Sequence, residues 1–440
     1  MDNITMENLE NLRKGYLENT KLTIARRALS QTKISSLTRV SEQTEFTRNC
    51  FSNEVKTMTA TNQKSSGRCW IFAGLNVLRE KIGKKYNIQS FELSQNYVAF
   101  YDKLEKCNYF INSIAELRYC NRDDRTFDLI LQNGIQDGGQ WDLFVNIVKK
   151  YGVVPKDVYP ETFQSSNTRE INGILNRYLR KTAAKIVRAK DDPNYIDYIK
   201  EQAVKEIYQI LCSAFGVPPE TFSFEYANKN GEYNLVKDIT PKRFFEEFVE
   251  NDLDDYVSII NSPTEDKPFN DTYTIKYLGN VLEGNRVLYL NLDMERFKKL
   301  VTEQLKFGEL VWFGSDCHFY GDRQEGIWDD KSFDENTLFQ IDNYLSKEEM
   351  LDFRESAMNH AMVLTGVNID GEKTTKWKIE NSWGDDAAFK GYHVASDSWF
   401  DRFVYQAVIN KKYLSNYEKD CLKKTPKELE LWDPMGTLAD

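Results

Sequence analysis

A thiol attacks a carbonyl at neutral pH only as its thiolate, and it then needs a proton carrier and a donor for the oxyanion that forms. Three short segments of this 440-residue chain carry residues of those types. The first is Gln63-Lys64-Ser65-Ser66-Gly67-Arg68-Cys69-Trp70, the second Asn359-His360-Ala361, and the third Glu380-Asn381-Ser382-Trp383-Gly384. Cys69 stands where an apolar helical run begins, so unpaired N–H groups and the positive end of a helix would favour its thiolate. His360 is the candidate to take the thiol proton, serve as acid for a leaving amine and act as base for the deacylating water. Asn381 could hold the imidazole in one tautomer by accepting an N–H bond, with Trp383 covering that bond. The Cys69 N–H and the Gln63 carboxamide are the expected oxyanion donors, each worth about 2.7–4 kcal/mol of barrier.

Taken singly, each segment has a plainer reading. A Cys-Trp pair in a helix is core packing, a histidine beside alanine is structural, and Asn-Ser-Trp-Gly is a turn. Their joint occurrence in this order, with a glutamine six residues ahead of the cysteine, points to cysteine-peptidase chemistry.

These residues need elements to place them. Residues 1–50 read as a polar, mostly helical arm. Residues 51–165 read as a helical unit, with helices expected from Cys69, over 93–104, over 115–131 and from Trp141, where Trp141, Phe144, Val145 and Val148 mark one face. Ser65 or Ser66 is the expected cap of the Cys69 helix. Residues 166–305 are highly charged with helical periodicity. Short strand-like runs then follow at 310–313, 361–367, 376–379, 392–395 and 404–409. A helical half and a β half, each donating site residues, imply a cleft between them.

The formal net charge of −10 argues against a general attraction to nucleic-acid phosphates. Seven cysteines with no Cys-x-x-Cys pair read as unpaired thiols in a cytoplasmic protein. The first 29 residues lack the apolar stretch of a secretory signal, and no run of about 18 apolar residues suggests a membrane span. No cofactor or metal is expected; a Cys317-His318 metal pair is a weaker reading than a packed thiol beside an exposed imidazole. His393, in an expected strand, reads as structural.

The three segments resemble the papain-like cysteine peptidases, and in particular the bleomycin hydrolase and bacterial aminopeptidase C branch. Glu92-Leu93-Ser94-Gln95-Asn96-Tyr97, Asp137-Gly138-Gly139-Gln140-Trp141 and Leu431-Trp432-Asp433-Pro434-Met435-Gly436-Thr437-Leu438-Ala439 extend the similarity over nearly the whole chain. The resemblance implies an α+β fold, with a papain-like helical lobe and a β-barrel-like lobe. Cys69 and His360 are 291 positions apart, against about 130–150 in papain-type enzymes. The excess matches a large helical insertion, giving an arm at 1–50, a nucleophile lobe at 51–165, an oligomerisation insertion at 166–305, a β-rich lobe at 306–425 and a C-terminal arm at 426–440.

What the resemblance further implies is a broad-specificity aminopeptidase acting on peptides with a free N-terminus, extending to bleomycin-like amides, and assembled as a homohexamer. Gly138 and Gly139 would line the cleft, with Asn359 and Trp383 near the substrate. The C-terminal arm would lie in the cleft and set a carboxylate against the substrate's amino group, which makes Ala439 and Asp440 substrate-binding candidates. Asp440, following Ala439, departs from the pattern: it is either trimmed or moves the carboxylate about 3.5 Å. Ser315-Asp316-Cys317-His318-Phe319 departs as well, and so does Thr437. The competing readings are an endopeptidase with an open cleft and a ring-shaped nucleic-acid-binding protein with a secondary peptidase activity.

Overall fold

The apolar run after Arg68 forms a helix, Cys69–Lys85, in which every residue from Cys69 to Arg79 is buried. A helix segment buried on all sides belongs at the centre of a structure, and this one does. Gly74 is required by a neighbour, because a Cβ there would lie 2.8 Å from the Phe144 ring. The helix N-cap is Arg68, without a side-chain cap. The expected serine cap is absent because Ser66 Oγ is already committed, donating to the Gln63 carbonyl and accepting from Arg68 Nε. This computed structural model describes residues 3–40, 48–249, 252–386 and 388–439. Asp440 lies outside them.

Gln95–Glu116 and Trp141–Tyr151 pack around the central helix. The apolar face read from Trp141, Phe144, Val145 and Val148 is buried. The expected continuous helix over 115–131 is instead broken. One helix ends at Glu116 and another, Arg125–Asn133, starts after Asp124, whose carboxylate accepts the Phe127 N–H. The stretch between them runs Arg-Tyr-Cys-Asn-Arg-Asp-Asp after Leu117, and only Leu117 of it packs against the core.

Residues 166–305 depart from the helical expectation. Helices Arg169–Arg188 and Pro193–Phe215 pack on Gln95–Glu116. After a hairpin of Phe222–Ala227 and Tyr233–Ile239, the chain turns to strands Tyr256–Ile260, Thr272–Ile275 and Tyr289–Asn291. These join the strands expected further on, so one twelve-stranded sheet extends beyond 306–425 on both sides in sequence. The added strands are three to five residues long and buried almost throughout. At that length, and with no exposed face, they give a period-of-two reading too little to find.

The five expected strands are Val311–Ser315, His360–Asp370, Lys373–Glu380, Tyr392–Ser396 and Val404–Asn410. His360–Asp370 lies between Val311–Ser315 and Lys373–Glu380, antiparallel to both. Alternation along it separates two cores. Ala361 and Val363 join the core that contains Cys69 and Trp70, whereas Met362 and Leu364 join the one built with Phe297, Leu300 and Trp377. The strand that begins at His360 is thereby fixed against the helix that begins at Cys69. No helix among the described residues is long and apolar enough to cross a membrane.

Candidate active site

Cys69 is fully buried, and its Sγ accepts the Ala361 N–H at 3.4 Å. The first residue of the nucleophile helix thus touches the residue after His360. His360 Nε2 lies 2.9 Å from Asn381 Oδ1. Because Asn381 Oδ1 also accepts the Ser382 N–H at 2.8 Å, it faces the imidazole as an acceptor and leaves Nδ1 for the thiol. Trp383 stacks on His360 with ring centres 5.1 Å apart.

Gln63 is joined to the same turn. Its N–H donates to the Ser382 carbonyl at 2.8 Å, and its Oε1 accepts from Ser382 Oγ at 2.6 Å. Its Nε2 donates to the Ser66 carbonyl at 2.7 Å. A carboxamide nitrogen carries two protons, so one remains for an oxyanion. The Cys69 N–H stands at the first position of its helix, at the positive end of the helix dipole. The loop between them is stiffened by Arg68, whose guanidinium forms two hydrogen bonds, 3.1 and 2.9 Å, with the Glu161 carboxylate.

Burial pulls the His360 imidazole down to about 4; the Asn381 hydrogen bond opposes it, while the charges of Arg323 and His318 act with it. An imidazolium here is therefore disfavoured by its burial, and a neighbouring thiolate would favour it.

Gly138 and Gly139 face the C-terminal arm. Gly139 N–H donates to the Ala439 carbonyl at 3.1 Å, and Ala439 N–H returns a bond to the Gly139 carbonyl at 3.3 Å. A Cβ on Gly138 would fall 2.8 Å from the Ala439 oxygen, and one on Gly139 would fall 2.4 Å from the Trp70 ring. Glycine is what permits this approach. The arm is held along its length. Asp433 pairs with buried Lys267 at 2.9 Å, Arg125 lies 4.1 Å over the Trp432 ring, and the Met435 carbonyl accepts from Tyr289 Oη at 3.2 Å. Ala439 is fully buried. Beside the arm lies a cavity of about 710 Å³, bordered by Lys106, Gln136, Met358, Asn359 and Leu438.

The structure therefore brings Gln63, Cys69, His360, Asn381 and Trp383 together, with Gly138, Gly139 and Ala439 at the neighbouring cleft. Asn359 borders the cavity, but its carboxamide is taken up by Asp316, Cys317 and His318. His318 is exposed, with Nδ1 2.9 Å from the Asn359 amide. His393 is buried against Trp328, ring centres 4.5 Å apart.

Two carboxylates escaped the sequence reading. Asp137 accepts the Gly67 N–H at 3.1 Å, and its own carbonyl accepts from Trp70 Nε1 at 2.7 Å. Glu380 Oε1 accepts from Asn76 Nδ2 and Arg79 Nη2, both at 2.9 Å and both on the Cys69 helix. Each sits beside a residue already singled out, Gly138 or Asn381. That adjacency was the available signal.

Comparison with known proteins agrees with this geometry. Residues 3–436 match the profile of the peptidase C1-like family. Aminopeptidase C of Listeria monocytogenes is 43% identical over 436 residues, covering 99% of each chain. Aminopeptidase C of Lactobacillus delbrueckii subsp. lactis is 46% identical over 88% of each, and bleomycin hydrolase of Mus musculus 40% over 86% of each. The crystal structure of PepW from Lactobacillus rhamnosis HN001 superposes with a TM-score of 0.98 at 44% identity, covering both chains fully. The chain belongs to the peptidase C1-like family, as a homologue of aminopeptidase C and bleomycin hydrolase.

Proposed function

We propose that this protein is a cysteine aminopeptidase of broad specificity, releasing N-terminal residues from peptides and extending to bleomycin-like amides. Cys69 is the nucleophile. His360 takes its proton, the thiolate adds to the scissile carbonyl, and the oxyanion is held by the Cys69 N–H and the Gln63 amide. The imidazolium then protonates the leaving amine, and the neutral ring activates the water that frees the acyl group. Asn381 keeps the ring in the orientation both steps need.

The observation that carries the aminopeptidase reading is the two-bond pairing of Ala439 with Gly139. The protein's own chain is joined there by one isolated β-bridge, where more of a substrate would otherwise run. A carboxylate of Asp440, the next residue, is the group we assign to the substrate's ammonium. Gly138, Gly139, Asn359 and Trp383 border the bound peptide.

We also infer a homo-oligomer, the homohexamer of the resemblance, in the cytoplasm. Helices Met6–Glu18 and Thr20–Leu29 bury no residue, and Met6, Leu9, Leu12, Leu17 and Ile24 stay exposed. Apolar surface of this kind suits a subunit contact.

The test pairs Ala-coumarinamide bearing a free amine with its acetylated form, on the full chain and on a chain lacking residues 437–440. The expected result is cleavage of only the free amine by the full chain, with the acetylated form cut once the arm is shortened. Equal cleavage of both by the full chain would make the protein an endopeptidase. If the full chain cuts neither and shortening restores activity, Asp440 marks a self-blocked form.

A further inference from the structure

Arg323 is exposed, and its guanidinium lies 3.9 Å from the centre of the Trp383 indole, the ring that also stacks on His360. A guanidinium stacked on an indole is held flat while its N–H edges stay available. Among the described residues no hydrogen bond or ion pair is formed by Arg323. Its loop is fixed nonetheless: Asp322 Oδ1 accepts the Gln324 and Glu325 N–H groups at 2.9 and 3.0 Å, and the Gln324 carbonyl accepts from Ala388 N–H at 3.2 Å. The position also has a direction. The arm fills the side of the site marked by Gly138, Gly139 and the large cavity, and neither Trp383 nor Arg323 borders that cavity. A leaving amine must depart past His360, the residue that protonates it, and hence past Trp383.

We propose that Arg323 binds the C-terminal carboxylate of short peptides on the leaving-group side, so that di- and tripeptides are preferred over the same sequences with a blocked C-terminus. This rests on the aminopeptidase reading above. The reach is right, because one residue spans about 3.5 Å. A leaving group of one or two residues therefore brings its carboxylate to a guanidinium that shares an indole with the catalytic imidazole. Arg is suited to the task through its paired N–H donors, whereas Lys offers a point charge. Longer leaving groups carry the carboxylate past the guanidinium, and the preference fades.

The experiment compares kcat/KM for Ala-Ala against Ala-Ala-amide, and for Ala-Ala-Ala against its amide, in the wild type, Arg323→Ala and Arg323→Lys. We expect the free acids to be favoured about tenfold in the wild type through KM, as suits a charge-assisted pair. The ratio should fall to about one in Arg323→Ala and be partly kept in Arg323→Lys. A wild-type ratio near one overturns the proposal, and so does a ratio that Arg323→Ala leaves intact. If Arg323→Ala lowers acid and amide alike and shifts the pH profile of both, Arg323 acts only through the field at His360, and the carboxylate site is overturned. If neither the wild type nor the chain lacking residues 437–440 cleaves these peptides or Ala-coumarinamide, the aminopeptidase reading fails with it.

Discussion

Asp137 and Glu380 are both buried carboxylates, and both hold the helix that starts at Cys69, one from the loop before Trp141–Tyr151 and one from the end of strand Lys373–Glu380. Asp137 grips the loop before it, while Glu380 grips Asn76 and Arg79 on its flank. Their charge states diverge. Asp137 has donors on both oxygens: Lys103 and Asn172 on Oδ1, Thr168 and the Gly67 N–H on Oδ2. Burial alone would raise its pKa, but Lys103 and these hydrogen bonds win and hold it well below the usual carboxylate range. Glu380 is served on one oxygen only; Oε2 has no hydrogen-bond partner among the described residues. Burial pushes it up to about 7 against the pull of Arg79. Two buried carboxylates thus end on opposite sides: donors on both oxygens hold Asp137 down, while one served oxygen and the like charge of Glu80 leave Glu380 raised.

The sharpest test of this contrast is the isosteric amide at each site. Asp137→Asn removes the charge opposite buried Lys103 and turns an NH2 group toward existing donors. It should cost about 3–5 kcal/mol in denaturant unfolding and most of the activity. Glu380→Gln keeps an acceptor for Asn76 and Arg79 and gives up a charge that is only partly present. Its cost should stay below about 1.5 kcal/mol. Similar losses in both proteins would break the comparison.

The pH dependence should differ in sign. The lowered Asp137 contributes stability that is fully present above its ordinary value of 3.8 and is lost as pH falls below it toward the folded value. Thermal unfolding between about pH 4 and 2 should therefore steepen in the wild type relative to Asp137→Asn. The raised Glu380 binds its proton more tightly in the native state. Its contribution is greatest below 4.5 and declines as pH rises to about 7. This smallest of the expected effects is read as a flatter melting profile across that window in Glu380→Gln; an unchanged slope would contradict it.

The same contrast explains what the sequence revealed. Cys69, His360 and Asn381 could be found because each sits in a short segment whose neighbours share its task. Five strands from 310 onward were legible as apolar runs bounded by Gly, Asn and Asp, whereas the two- and three-residue strands Gly321–Asp322, Ile327–Trp328 and Lys427–Leu429 were not. Asp137 and Glu380 were not, because their partners are distant in the chain: Lys103 is 34 residues away and Arg79 is 301. No local spacing encodes such a pairing. The strands at 256–291 were missed for a different reason, since segments of three to five residues with no exposed face are too short to mark a strand. Trp383 was read as the cover of the His360–Asn381 bond, but the Arg323 beside it comes from a loop sixty residues earlier and carried no signal of its own.

The central claim is that the helix held by these two carboxylates exists to present one thiol. It is tested most directly by the rate at which Cys69→Ala, shown to be folded by its circular dichroism, releases coumarin from Ala-coumarinamide. The account predicts a loss of at least about a thousandfold, because no other group replaces the nucleophile. Wild-type activity in Cys69→Ala would contradict it.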